Sequence, residues 1–126
     1  MSADRMVIGW DVETHLIETG LLAPPLVCLS LAGGPDTHDA AAEFFDGLDA
    51  HFAPADGGWA AVVTKADALA TFRWMRETAD ILVAHNGVFD YTVMAVTFPE
   101  LLPALFEDYE TGKMRCTRLR EQLTAI

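Results

Sequence analysis

Residues 6–14, Met-Val-Ile-Gly-Trp-Asp-Val-Glu-Thr, alternate with a period of two. A strand sends successive side chains to opposite faces. Ile8, Trp10 and Val12 therefore share one face, and Val7, Gly9, Asp11 and Glu13 the other. The first set is large and apolar and needs a core. The second ends in two carboxylates. Any fold around this strand must bury one side of it and keep two charges at the end of the other.

The rest of the chain supplies partners for that strand. Leu26–Ala32 is an apolar run between Pro24-Pro25 and Gly33-Gly34-Pro35, the pattern of a buried second strand. Residues 35–58 mix Asp, Ala, Gly and His around Phe44, Phe45 and Leu48, and read as a surface excursion with one helical turn. Trp59–Val63 is a short third strand. Thr64 suits an N-cap for a helix over Lys65–Thr78, where Leu69, Phe72 and Met75 recur three apart with Trp74 beside them. Ile81–Ala84 is a fourth, fully apolar strand, and Asn86-Gly87 turns into a helix from Val88 to Thr97. Pro99 ends that helix and opens a short one through Phe106, followed by a polar loop, Glu107–Gly112. Lys113–Cys116 is a short fifth strand, and Thr117 caps a last helix, Arg118–Ala125. Three early strands with short links predict an antiparallel meander, and the later strand–helix–strand steps predict parallel crossovers. The expected fold is α/β: one mixed sheet with flanking helices in a single domain spanning residues 1–126.

The 126 residues fall within the usual domain size of roughly 100–150. No apolar run approaches the roughly 20 residues of a membrane span, and the start lacks a signal peptide's long apolar region. A cytoplasmic location without membrane contact is expected. Cys28 and Cys116 are far apart and lack metal-type spacing, as thiols in a reducing compartment would. The net charge of −11 opposes simple nucleic-acid binding. Residues 1–64 hold ten acids and one base, Arg5, whereas the stretch from Lys113 holds Lys113, Arg115, Arg118 and Arg120 against Glu121. Such a chain binds a polyanion weakly by itself, and a basic partner domain would help.

Two constellations carry chemistry. Asp11 and Glu13, on one face of a strand, repel each other and would raise a pKa. A divalent cation between them removes that conflict, and magnesium, with its preference for oxygen and retained water, needs few carboxylates. An isolated Asp-x-Glu is more often a solvated strand end. The second constellation, His85-Asn86-Gly87-Val88-Phe89-Asp90, follows an apolar strand and opens a helix. Alone, Asn86 serves as a turn or cap and Asp90 as an acid near a helix N-terminus. Parallel pairing of the first and fourth strands would bring Asp90 beside Asp11, so that three acids converge without a base.

Together, IGWDVET and VAHNGVFDYTVM resemble the first two motifs of the DEDD 3′–5′ exonucleases, whose patterns are D-x-E-T on a first strand and N-x-x-F-D on a following helix. Residues 117–123 resemble the segment that follows in phage relatives of family A DNA polymerases, with Cys116-Thr117 where Asp-Thr is common. The resemblance implies a ribonuclease-H-like fold and proofreading removal of nucleoside monophosphates from DNA 3′ ends. It implies two magnesium or manganese ions held by Asp11, Glu13 and Asp90. It places Thr14, His15, Leu16, Asn86 and Phe89 around the terminal nucleotide of a single-stranded or frayed end, with a polymerase domain C-terminal to this segment. His15 otherwise reads as a polar residue beside the site.

The family's third motif, Tyr-x-x-x-Asp or His-x-x-x-Asp, does not occur after Asp90. The remaining acids there include Glu107, Asp108 and Glu110, which read as solvated loop residues. Three explanations remain. The chain is a C-terminally incomplete piece of a longer polymerase or exonuclease, or a catalytically inactive ribonuclease-H-like interaction module, or a partner supplies the missing acid. The first is favoured, with catalysis impaired in the isolated chain.

Overall fold

A computed structural model of the chain describes residues 5–15, 23–55, 57–84 and 86–117. The architecture is α/β, with one six-stranded mixed sheet and four α-helices. Strand β1 (Val7–Thr14) lies inside the sheet. It pairs antiparallel with β2 (Leu26–Gly33) and parallel with β5 (Ile81–Ala84). Beyond β2 come β4 (Gly58–Thr64) and then β3 (Ala50–Ala55), both in antiparallel register, and beyond β5 comes β6 (Met114–Cys116), parallel. The order is β3-β4-β2-β1-β5-β6.

The buried set of β1 matches its alternation: Ile8, Trp10 and Val12 are inside, with Leu29, Leu31, Ala61, Val63, Leu82 and Ala84 on the neighbouring strands. Helix α2 (Lys65–Thr78) lays Ala68, Phe72 and Met75 against them. Helix α3 (Gly87–Thr97) adds Tyr91, Val93 and Met94. Trp10 meets Phe72 and Tyr91 edge-on, with centroids 5.2 and 5.5 Å away. The opposite face is open. Gly9, Ser30, Ala32 and Ala60 floor a shallow trough of about 360 Å³ there, and Val7 and Val62 are exposed.

Two expectations are corrected. Residues 35–58 are not a surface excursion with a single helical turn. They form a 3-10 turn (Pro35–Thr37), helix α1 (His38–Asp46) and the edge strand β3. The cause is aromatic packing. Phe44 stacks on Trp74 at 4.9 Å, and Phe45 touches Phe52 and Trp59 at 5.9 and 5.8 Å. Trp59 also donates its indole N–H to the Thr37 hydroxyl at 2.8 Å. Pro54, which cannot donate to a ladder, is tolerated because β3 is an edge. The expected meander is thus β1-β2-β4 in space, with β3 added outside it.

Nor is Glu107–Gly112 a polar loop. A short 3-10 segment (Pro99–Leu101) leads into helix α4 (Leu102–Thr111), which stops at Gly112 in the left-handed conformation (φ +78°). Glu107 and Glu110 are exposed as expected, but Asp108 is 1% exposed. Its two oxygens accept from Arg76 Nε and Nη2, each at 2.8 Å, and the Tyr91 hydroxyl donates to it at 3.4 Å. This fork ties α4 to α2. Thr64 occupies the N-cap position of α2 as expected, without a side-chain capping bond. The helix expected over Arg118–Ala125 lies outside the described residues. Among those described, no helix is long and apolar enough to cross a membrane.

Removing either anchor should be costly. Phe72 is fully buried, so Phe72→Ala is expected to lower unfolding free energy by roughly 3–5 kcal/mol in urea titrations. Asp108→Ala strands the Arg76 guanidinium in a partly buried place and is expected to cost on the order of 3 kcal/mol in the same titration. Loss of less than about 1 kcal/mol would show that solvent replaces the ion pair easily.

Candidate metal centre

Strand β1 outruns its neighbour. Pairing with β5 covers Val7 to Trp10 and stops at Ala84, while pairing with β2 continues to Thr14. Among the described residues, one edge of β1 beyond Trp10 therefore lacks a ladder partner, and its backbone must bond elsewhere. The chain leaving β5 supplies the partner. Asn86 is the N-cap of α3, and Asp90 sits in the first turn, its amide donating to the Asn86 carbonyl at 3.0 Å. The Asp90 carboxylate lies close to the backbone N–H groups of Val12 and Asn86, which favour its charged form.

This places Asp90 against Asp11. The two carboxyls lie within hydrogen-bonding reach of each other. Asp90 is 1% exposed, and its Oδ2 is buried with no well-formed hydrogen bond. Burial first, and then the Asp11 charge, push the Asp90 carboxyl up from 3.8 to about 7, against the pull of the two backbone N–H donors. An orphaned carboxylate oxygen beside a second carboxylate is an anionic seat that a cation would satisfy.

Glu13 stands apart from this pair. It shares the open face with Asp11, two residues on, where strand geometry separates the backbones by about 7 Å. It faces Cys28 across the ladder, as Asp11 faces Ser30. Burial, then the Glu13 and Asp11 charges, raise the Cys28 thiol above its ordinary pKa. Among the described residues, no three Asp, Glu, His or Cys side chains already form a metal cage. The structure thus brings Asp11 and Asp90 together and leaves Glu13 one step along the strand.

The expected substrate contacts cluster at the same end of the sheet. Thr14 is half-buried just past a register shift at Glu13/Thr14. His15 is exposed and donates its backbone N–H to the Pro25 carbonyl at 3.0 Å. Asn86 is half-buried at the start of α3, and Phe89 packs its half-buried ring against the core. Leu16 and His85 lie outside the described residues.

Two neighbours of the pair were not singled out as site residues from sequence. Burial, then the charges of Cys116 and Asp90, raise the Tyr109 phenol. The Cys116 Sγ accepts from the Gly87 N–H at 3.2 Å. Both crowd Gly87: a Cβ there would lie 3.2 Å from the Cys116 Cβ and 3.5 Å from the Tyr109 hydroxyl. Tyr109 lacks an Asp four residues on, so motif spacing passed over it, and only the turn of α4 brings it here. Cys116 carries a visible signal, since it stands where the resembling segment usually has Asp.

The chain matches no known protein family, no curated protein and no solved structure.

The raised Asp90 pKa has a consequence for stability. Folded protein holds this proton more tightly than unfolded chain does. The stabilisation is therefore complete below about pH 4 and is lost as pH rises through about 7. The displacement corresponds to roughly 4 kcal/mol at most. In EDTA, Asp90→Asn should melt higher than wild type at pH 8 and should lose much of the wild type's fall in melting temperature between pH 5 and pH 8. Equal melting temperatures at pH 8 would mean that the carboxyls do not repel each other.

Proposed function

We propose that the chain is a metal-dependent 3′–5′ exonuclease domain of ribonuclease-H-like topology, acting on DNA 3′ ends. One observation carries this reading. Asp11 and Asp90, 79 positions apart, meet at the end of β1, Asp11 exposed and Asp90 buried with an unsatisfied oxygen. The strand order supports it: β1 lies between an antiparallel β2 and a parallel β5, with β6 beyond.

Asp11 and Asp90 would hold divalent ions, magnesium or manganese, and Glu13 would join them once a cation offsets the repulsion along the strand. Bound ions would supply the Lewis acidity and charge neutralisation that phosphodiester hydrolysis needs. The protein's own part is positioning. Asn86 and the Val12 amide keep the Asp90 carboxylate in place, and Thr14, His15, Leu16, Asn86 and Phe89 would surround a frayed terminal nucleotide. No Tyr or His stands four residues before an Asp after position 90. Orientation of the attacking water is therefore the weakest function of this chain, and a polymerase domain or other partner that presents the 3′ end would raise its rate.

Calorimetric manganese titration and digestion of a 5′-labelled single-stranded oligonucleotide test the assignment. Wild type is expected to take up manganese with release of a proton at pH 7, and to shorten the oligonucleotide slowly from its 3′ end. Asp11→Ala should abolish uptake and cut the rate by at least roughly 100-fold. Undiminished activity in Asp11→Ala would end the exonuclease assignment. A second reading, a non-catalytic interaction module of the same fold, draws support from the exposed apolar side chains of α3 and α4. It would keep its partner binding after Asp11→Ala and show no cation uptake.

A further inference from the structure

We infer that the outer surface of α3 and α4 is a docking site for a basic amphipathic helix of a partner protein. Nine large apolar side chains are exposed among the described residues, and five of them are on these two helices: Val88, Val96, Leu102, Phe106 and Tyr109. Phe106 is 67% exposed and Val88 70%. On α4, Leu102, Phe106 and Tyr109 stand four and three residues apart and so share one stripe. Alongside the stripe runs a groove of about 140 Å³, lined from α3 by Tyr91, Thr92 and Ala95 and from α4 by Leu105. An apolar groove between two helices, with exposed anchors at helical spacing, has the shape of a receptor for a third helix.

Charge selects the occupant. Residues 87–112 contain five acids and no Lys, Arg or His. Asp90 and Asp108 are buried, whereas Glu100, Glu107 and Glu110 are exposed. Glu100 precedes the stripe and Glu110 directly follows Tyr109, whereas Glu107 lies near enough to Arg76 of α2 for its charge to act there. A second copy would set these acids against themselves in a chain of net charge −11. A nucleic acid would meet acids with no base among them. A helix with one apolar face flanked by Lys or Arg satisfies both the groove and its acidic rim.

The probe is a dye-labelled 18-residue peptide of Leu and Lys with an amphipathic helical pattern, titrated with the whole chain and followed by fluorescence anisotropy at 0.15 M salt. A scrambled peptide of the same composition is the control. Expected is saturable binding of the patterned peptide that the scrambled one does not match. Phe106→Ser should weaken it by about tenfold or more, and Leu102→Ser should act in the same direction. Glu110→Gln should weaken it by about threefold and flatten its salt dependence. Circular dichroism melts establish that the variants are folded, and both serine changes fall at exposed positions. Equal binding of the scrambled peptide, or unchanged affinity in both serine variants, would overturn the proposal. So would a dimer of the chain alone that Phe106→Ser dissolves, or displacement of the peptide by a single-stranded oligonucleotide. Manganese uptake is read on the same variants and should persist in Phe106→Ser, so failure of docking and failure of the metal assignment are distinguishable.

Discussion

Strand β1 has hydrogen-bonding neighbours on both sides for only half its length. From Val7 to Trp10 it sits between β2 and β5; from Asp11 onward, among the described residues, only β2 remains. A backbone N–H left without a ladder partner is costly to bury unmade, and the Asp90 carboxylate lies near enough to that of Val12 to be favoured in its charged form by it. That proximity sets the first turn of α3 over the end of β1. It also drives a buried carboxylate against Asp11, since the residue whose N–H needs an acceptor directly follows the residue that carries the acid. The continuity of the sheet and the acidity of the site are thus two results of one arrangement.

That arrangement works against the stability of the cation-free protein. The Asp90 carboxyl is pushed to about 7 by burial and by Asp11, and its Oδ2 lacks a partner. Near neutral pH the fold therefore carries a repulsion that the hydrogen bonds from Val12 and Asn86 only partly offset. Sites held in unfavourable electrostatic states persist where the surrounding structure is strong enough to impose them. Here that strength lies directly behind the site: Trp10, on the opposite face of β1 from Asp11, is locked edge-on between Phe72 and Tyr91. Tyr91 in turn bonds to Asp108, which Arg76 grips with two donors. The chain of contacts runs from the site through the core to the far ion pair.

What was legible in the sequence followed periodicity. The alternation of Val7–Glu13 fixed which side of β1 is buried, and the Leu69, Phe72, Met75 spacing placed α2 over the same residues the structure shows. The meeting of Asp11 and Asp90 was reachable from the expectation that the first and fourth expected strands pair in parallel, as β1 and β5 do. Illegible were the elements whose local composition is ambiguous. The segment around α1 and β3 is rich in Ala, Asp and Gly, and its structure comes from Phe45 and Phe52 finding Trp59, contacts that no local pattern encodes. Glu107–Gly112 looked like a loop because a run of acids usually faces water. One of them, Asp108, is neutralised by Arg76 from a helix 32 residues away. A tertiary partner inverted the meaning of a charge there. The same turn of α4 carried Tyr109 to the site.

The acidity of the chain divides by depth. Asp90 and Asp108 are buried, and each has a specific reason to be there: one beside Asp11, the other in the fork of Arg76. Among the described residues Glu100 and Glu110 have no such partner, and they lie with Glu107, whose charge acts on Arg76, on a surface that also exposes Leu102 and Phe106. On the proposed function, a polyanionic substrate must approach a protein of net charge −11, and long-range repulsion slows that encounter. A basic helix seated in the groove would bring positive charge near Asp90, because Tyr91, which lines the groove, directly follows Asp90 in α3. Docking of such a partner would then weaken the field that opposes substrate without touching the carboxylates proposed to hold the metal. The apolar surface and the carboxyl pair, on this view, are coupled through space by charge, with no conformational change needed between them.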